Sequence, residues 1–531
     1  MTITVASEHA IRNNVVVDKS TLRQLVGLVV VTALVYIVFT YGGVRSPDSE
    51  VVFRTAEALA TNHTFGLPKE LRGMKSFGLP AGEDGRYYSI FGPGESVACL
   101  PFVEVGLWLN RTGWYKNIRD FVPVSHYVDI GIIYFVDGAA PLDVEPHALR
   151  FIVSFFNVFV GTLCVCFFFL ILKLLTKSDA AAWCLSILFA FGSLMLPYSG
   201  TFFSEPLATL LVILSLYCLI WNDVTPEVSG SQMRFSLLCS ALFLGMAITV
   251  HITAILYAPF FFAYGLYPFL RTSRSLKRSA ISGAIFVAGV GLFLALLAYY
   301  NYVRFGNILQ TGRTVMARVD YSDFVAPWRG LYGLLFGSGK GIVLYCPAAV
   351  ISLFFWRPFH KRYPALSYTI LASVFFRICF IASRSDWHGG FSLGPRYLVM
   401  AIPLLMIPYA TVVTQWFQTR KTMSILVLFL LTLGCVAEQI YLSLGEIFSF
   451  LQITKWSYAA RGIDVFRNDA LYLDWNKSPL LYLLDAKRGP FIMRFLPLYN
   501  ITLFWWLVGI AGVFLFLWYT SLMKEQDAPF H

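Results

Sequence analysis

Two carboxylates, Asp48 and Glu50, stand in the stretch Arg45-Ser-Pro-Asp-Ser-Glu50, directly after Gln24–Val44, an uncharged run of 21 residues. Such a run is long enough to cross a bilayer core of roughly 30 Å at about 1.5 Å rise per residue. Ser46 has the side chain of a helix N-cap, and Pro47 suits the first helical position, where a missing N–H costs nothing. Asp48 and Glu50 then fall in the first turn of a helix continued by Val51, Val52, Ala56, Leu59 and Ala60. The positive end of the helix dipole favours an ionised carboxylate there, and a carboxylate fixed at a membrane surface can take the proton from an attacking hydroxyl. Acidic residues also enrich first turns simply because they stabilise helix starts, so both readings stand at this point. Two carboxylates could help bind a divalent ion, although two ligands do not make a site. No other cofactor is indicated.

Basic residues that could meet such a base recur later, in short turns pinned by glycine and proline. They lie in Asn301-Tyr-Val-Arg304-Phe-Gly306, in Gly337-Ser-Gly-Lys340-Gly341, and in Arg384-Ser-Asp-Trp-His388-Gly-Gly-Phe-Ser-Leu-Gly-Pro-Arg396 followed by Tyr397. Arginine or lysine binds a phosphate through charge-assisted hydrogen bonds and stabilises it as a leaving group. Arg396 is the first choice for that task, because Gly394-Pro395 and Tyr397 flank it; Arg304 and Lys340 are further candidates. An arginine opening a span also fits ordinary snorkelling. The Gly337–Gly341 turn lacks the GxxxxGK[ST] spacing of a P-loop. Its glycines either bring backbone N–H groups near an anion or form a plain turn before a span. Glu205, in Phe203-Ser-Glu-Pro206, either orients an acceptor or caps the helix beginning at Pro206. Tyr87, Tyr397 and His388 join it as candidates for the acceptor side, although a surface or aromatic-packed histidine is the more ordinary reading of His388.

The elements that must position these groups are membrane helices. Of 531 residues, 57% are hydrophobic and 13% charged, the profile of an all-α polytopic membrane protein. The net charge of +11 fits cytoplasmic loops rather than nucleic acid, since no basic, aromatic-interleaved soluble segment is present. Nine cysteines are scattered without CxxC or Cys/His clustering, which points to neither a disulfide framework nor zinc. Residues 1–23, with Arg12, Lys19 and Arg23, read as a cytoplasmic tail, and the first span is too long for a signal peptide and stays as an anchor.

About 12 spans follow if residues 42–150 lie wholly outside and Ser96–Leu109, too short to cross, lies at the interface. After Phe151–Leu172 come Lys173 and Lys177, then spans near 180–198 and 203–221 around an exterior turn. Residues 236–270 hold two helices broken near Val250-His251-Ile252 and end in Arg271, Arg274, Lys277 and Arg278. Spans 280–300, 341–356, 364–383, 397–416, 422–445 and 501–522 complete the set. They place Arg357, His360, Lys361, Arg362, Arg420, Lys421 and Lys524 inside and the 301–340 and 446–500 segments outside. The domains are thus the tail 1–23, a main membrane region 24–445, the exterior segment 446–500 and the last helix with its tail, 501–531. Arg377 and Glu438 sit inside apolar spans at matched depths of roughly 10 Å, where pairing is the default expectation.

The order and common sidedness of these motifs resemble the integral-membrane GT-C glycosyltransferases, in the branch of the protein O-mannosyltransferases and the lipid A aminoarabinose transferase. The resemblance spans about residues 24–415. It rests on Asp48 and Glu50, Tyr87-Tyr-Ser-Ile-Phe-Gly-Pro-Gly94, Phe203–Pro206, Asn301–Gly306, Gly339-Lys-Gly341 and Gly389–Tyr397. It implies that the 24–445 region transfers a hexose or pentose from a polyprenyl-phosphate donor, with inversion, to a glycan, lipid or protein acceptor. It further implies a site on the outer, periplasmic or extracellular face of the inner or plasma membrane, with membrane lipids around it and Asp48 as base. The acidic pair is spaced here as Asp-Ser-Glu, which departs from the adjacent pair of better-known members. A transporter or flippase of a lipid-linked glycan is the alternative; it would favour internal repeats and midplane ionisable groups. A non-catalytic scaffold would not need so many fixed polar turns.

Overall fold

In hydrocarbon a chain must satisfy its backbone polar groups internally, so the long uncharged runs fold as helices. The computed structural model describes residues 19–40, 43–44, 46–67, 81–113, 147–225, 229–272, 276–312, 323–390, 392–445, 447, 450, 454, 457–458, 460–462, 469–482, 508–513 and 515–516. Among these, nine helices are long and apolar enough to cross a membrane: Thr21–Phe39, Leu149–Thr176, Glu205–Val224, Gly230–Val250, Ile252–Arg271, Leu276–Phe305, Pro364–Ala382, Arg396–Gln418 and Thr422–Leu444. Strand pairing among the described residues is limited to isolated bridges such as Leu67 with Tyr87. The fold is all-α and multi-pass. Arg12, Arg45, Arg274, Arg313 and Lys524, most of the expected last span and much of the 446–500 segment lie outside the described residues.

Two expected spans are broken. The 180–198 stretch forms Asp179–Phe191 and then a short turn of helix, Met195–Ser199, separated at Gly192. The 341–356 stretch is a succession of short pieces, Ile342–Tyr345, Pro347–Ile351, Ser352–Phe355 and Trp356–Arg362. Pro347 has no N–H to continue the ladder, and Cys346 before it leaves helical geometry at φ −153°, ψ 62°. The break expected near His251 is present: the helix ends at Val250, His251 is extended, and a 3-10 segment runs over Ile252–Tyr257.

Contacts define two ends of the bundle. At one, Gln24 donates to Asp179 at 2.8 Å, Lys173 pairs with Asp179, and the Tyr363 hydroxyl donates to the Leu175 carbonyl at 2.6 Å. At the other, the first span (α1, Lys19–Phe39) gives way to α2 (Pro47–Asn62), α3 (Gly94–Ala98), α4 (Leu100–Arg111) and α5 (His147–Ser154). The turn before Glu205, the end of the Leu276–Phe305 helix and the start of the Arg396–Ala401 3-10 segment gather there too. α4 covers most of the ambiguous Ser96–Leu109 stretch, packs on α2 and α5, and leaves Val105 and Trp108 exposed.

Arg377 and Glu438 do not pair. The buried Arg377 guanidinium donates to the Tyr397 carbonyl at 2.9 and 2.7 Å and to the Thr253 carbonyl at 3.0 Å. Both acceptors belong to the 3-10 segments, which leave carbonyls outside a regular helical ladder, and a planar guanidinium with five N–H donors can bridge them. Arg377 therefore ties the two helix breaks together beneath the polar end.

Candidate functional site

The first side chain of the site is set by the start of α2. Ser46 is its N-cap, extended at φ −107°, ψ 151°, and its Oγ accepts from the Ser49 N–H at 3.0 Å. With Pro47 in the first turn, Asp48 is presented from a rigid base, and its Oδ2 lies 2.7 Å from Arg396 Nη2. Arg396 Nε lies 3.4 Å from Glu205 Oε1, so one guanidinium stands between two carboxylates. The Phe203 and Tyr397 rings flank it at 5.1 and 5.2 Å. Glu205 is held by its turn: Asn157 Nδ2 donates to the carbonyls of Thr201 and Phe203 at 2.8 Å each. Among the described residues, no side chain caps the helix that starts at Glu205.

Asp48, Glu205, Arg396 and Tyr397 line one cavity of about 150 Å³. Phe202, Ile248, Val250, Ile252 and Leu297 give it apolar wall, and His251, Asn301 and Arg304 also border it. The Gly92-Pro93-Gly94 loop closes one side. A Cβ on Gly92 would stand 2.0 Å from the Thr249 carbonyl oxygen, so the close approach requires glycine.

The other sequence candidates occupy different positions. Glu50 does not line the cavity; it receives two hydrogen bonds from Arg150, one of them at 2.6 Å, and one from Arg54 at 2.9 Å. It joins α2 to α5. Arg304 borders the cavity, but donates to the Ser89 carbonyl, to Asn301 Oδ1 and to the Tyr300 carbonyl, and packs 3.8 Å from the centre of the Tyr300 ring. It clamps the Tyr87–Gly94 loop. Lys340 is buried away from the cavity, donating to the carbonyls of Gly390 and Ser392 at 2.9 and 2.6 Å and to Ser392 Oγ at 2.9 Å. Burial, and Arg396 nearby, pull its ammonium well below the usual lysine range.

Lys340 holds the turn at Gly389 and Gly390, whose φ values of 68° and 67° favour glycine. In the same turn, His388 stacks on Tyr472 with ring centres 4.2 Å apart, and its Nδ1 accepts from the Gly390 N–H at 2.9 Å. Burial and Lys340 push His388 down to about 3, so the ring is neutral. Tyr87 exchanges backbone hydrogen bonds with Leu67 at 2.7 and 3.2 Å, and is half-buried outside the cavity.

Two residues of this end, Arg150 and Glu95, carried no reading in the sequence, and a third, Arg377, was expected to pair with Glu438. Arg150 is separated from Glu50 by 100 positions. Arg377 acts through carbonyls. Glu95, which also lines the cavity, follows the Gly-Pro-Gly motif by one residue, and that adjacency is the only local signal for it. Among the described residues, no group of three His, Cys, Asp or Glu side chains is placed to hold a metal ion.

The fold and site define a multi-pass helical membrane protein with a charged cavity at one end of its bundle. No family model and no curated protein matches the chain. Several solved structures are similar in fold. ArnT from Cupriavidus metallidurans bound to undecaprenyl phosphate is 11% identical at a TM-score of 0.46, over 90% of this chain and 76% of that one. The archaeal oligosaccharyltransferase AglB from Archaeoglobus fulgidus, in complex with an inhibitory peptide and a dolichol-phosphate, is 12% identical at 0.46, over 87% and 61%. The Saccharomyces cerevisiae protein O-mannosyltransferase Pmt1-Pmt2 complex bound to the sugar donor is 16% identical at 0.35, over 60% and 37%.

Proposed function

We propose that this chain is a membrane glycosyltransferase that moves a hexose or pentose from a polyprenyl-phosphate donor to a glycan, lipid or protein acceptor, on the outer face of the cell's inner or plasma membrane. The observation that carries the reading is the Asp48–Arg396–Glu205 cluster in a cavity with an apolar wall. Asp48 takes the proton of an acceptor hydroxyl. The acceptor oxygen then bonds to the anomeric carbon on the face opposite the phosphate. The bond from that carbon to the phosphate oxygen breaks, and the configuration inverts. Polyprenyl phosphate departs with the bonding pair, and Arg396 binds its growing charge. Arg304 and Lys340 act indirectly, by holding the two loops that shape the cavity.

Arg396→Ala tests the phosphate assignment. Donor affinity and turnover should fall together, with turnover down by about 10²–10³-fold, the usual loss when a donor to a developing oxyanion is removed. Binding of a polyprenyl-phosphate sugar, measured beside transfer, checks this. Intact donor binding in the variant would remove Arg396 from the phosphate site.

The sidedness rests on the basic clusters that mark the opposite end of the bundle. Single cysteines at Arg111 and Lys277, in a background lacking the native cysteines, should label from opposite sides with an impermeant thiol reagent. Both positions are exposed. Labelling of Lys277 from outside, with Arg111 reached only from the cytoplasm, would invert the topology and move the cavity to the cytoplasm; labelling of both from the same side would mean that they do not lie at opposite ends of the bundle.

A further inference from the structure

Glu95 takes no part in the mechanism above, yet it is 1% exposed and lines the same cavity. Among the described residues, its Oε1 has no hydrogen-bond partner, and neither has Oε2 of the 2%-exposed Glu205. Burying a polar oxygen without a partner is costly. Two such oxygens on one cavity fit groups that a ligand supplies. Glu95 is also firmly aimed: Ser96 Oγ donates to the Val52 carbonyl at 2.9 Å, fixing α3 on α2, and Gly92 packs directly on Thr249.

We infer that Glu95 and Glu205 form a subsite for the hydroxyl groups of a sugar that carries no acidic group, beside the phosphate seat at Arg396, and that Glu95 determines which donors are accepted. This rests on the donor reading above. A sugar ring offers several hydroxyls, each both donor and acceptor. Glu205, matched to Arg396, accepts from one of them. Burial, with Glu205 and Asp48 close by, pushes the Glu95 carboxyl well above the usual range, which favours its protonated form, able to donate as well as accept. An acidic sugar such as a uronate would place a further carboxylate against Asp48 and Glu205, a repulsion worth several-fold to many-fold in affinity.

The test uses the full chain in lipid nanodiscs and measures binding of farnesyl phosphate alone and of farnesyl phosphate carrying mannose, glucose, galactose, arabinose or glucuronate. At least one neutral donor should bind more tightly than farnesyl phosphate, and the glucuronate should not. Glu95→Ala should erase that gain, a loss of roughly tenfold or more, while leaving farnesyl phosphate binding unchanged, which also shows that the variant is folded. Glu95→Gln, which keeps the shape and a donor, should retain most of the gain. A wild-type sugar preference in Glu95→Ala, or tight glucuronate binding by the wild type, would overturn the inference while leaving the donor reading intact. Failure of the wild type to bind farnesyl phosphate or any of its sugars would instead overturn the donor reading, and the subsite with it.

Discussion

Asp48→Asn should bind the donor lipid at least as well as the wild type and transfer sugar about 10²–10⁴-fold more slowly, the usual loss when a positioned base is removed. The substitution keeps the shape of the side chain and the Ser46-capped helix start, but asparagine cannot hold the acceptor's proton. It also removes one of the two carboxylates that share Arg396. A donor phosphate must compete with Asp48 for that guanidinium, so neutralising Asp48 frees Arg396 for the donor. The signature is therefore a split: affinity kept or tightened, turnover lost. Purified protein in lipid, assayed for donor binding and for transfer in parallel, reads both. Near wild-type transfer would sink the base assignment, and loss of donor binding would mean that Asp48 holds the donor instead.

The largest effect on stability should come from Glu50→Gln. Glu50 and Arg150 are each 1% exposed, and leaving one charge of a buried pair without its partner costs about 3–5 kcal/mol. Burial alone would raise the Glu50 carboxyl; the Arg150 and Arg54 guanidinium groups outweigh it and hold it below its usual 4.5. Because the folded value is the lower one, the pair's contribution is fully present above about 4.5 and is lost as pH falls through the folded value. The gap in thermal midpoint between wild type and Glu50→Gln, measured in detergent, should thus be wide at neutral pH and narrow on acidification below 4.5. Arg150→Met should destabilise alone, and Glu50→Gln with Arg150→Met should lose less than the sum, since the stranded charge is gone. Additive losses, or a gap independent of pH, would show that the pair does not carry the docking of α2 on α5.

The elements were more legible than the partners. The Ser46 cap, Pro47 in the first turn and the break at His251 follow from local chemistry, and the structure shows each of them. The divergence of Asp48 and Glu50 was also available in principle: two positions along a helix rotate the side chain by roughly 200°, so such a pair cannot face one cavity. Arg150 could not be found the same way, because its contact with Glu50 spans 100 positions and depends on how α5 docks. Arg304 and Lys340 look, as residue types, like anion binders. What separates them from Arg396 is that their donors meet carbonyls of loops far away in the chain, and backbone carbonyls leave no trace in sequence. Arg377 misled for the same reason: a buried cation needs acceptors, and the irregular segments at Thr253 and Tyr397 supply them without a carboxylate.

Under the proposed mechanism a sugar–phosphate bond is broken and the lipid is not merely moved. Purified wild-type protein in vesicles, supplied with a polyprenyl-phosphate sugar labelled in the sugar and with an envelope acceptor, separates the two outcomes. Label should pass to the acceptor, unglycosylated polyprenyl phosphate should appear in equal amount, and both should slow about 10²–10⁴-fold in Asp48→Asn. Passage of intact labelled lipid across the bilayer, with no polyprenyl phosphate released, would contradict that mechanism and make the protein a transporter of its lipid-linked sugar.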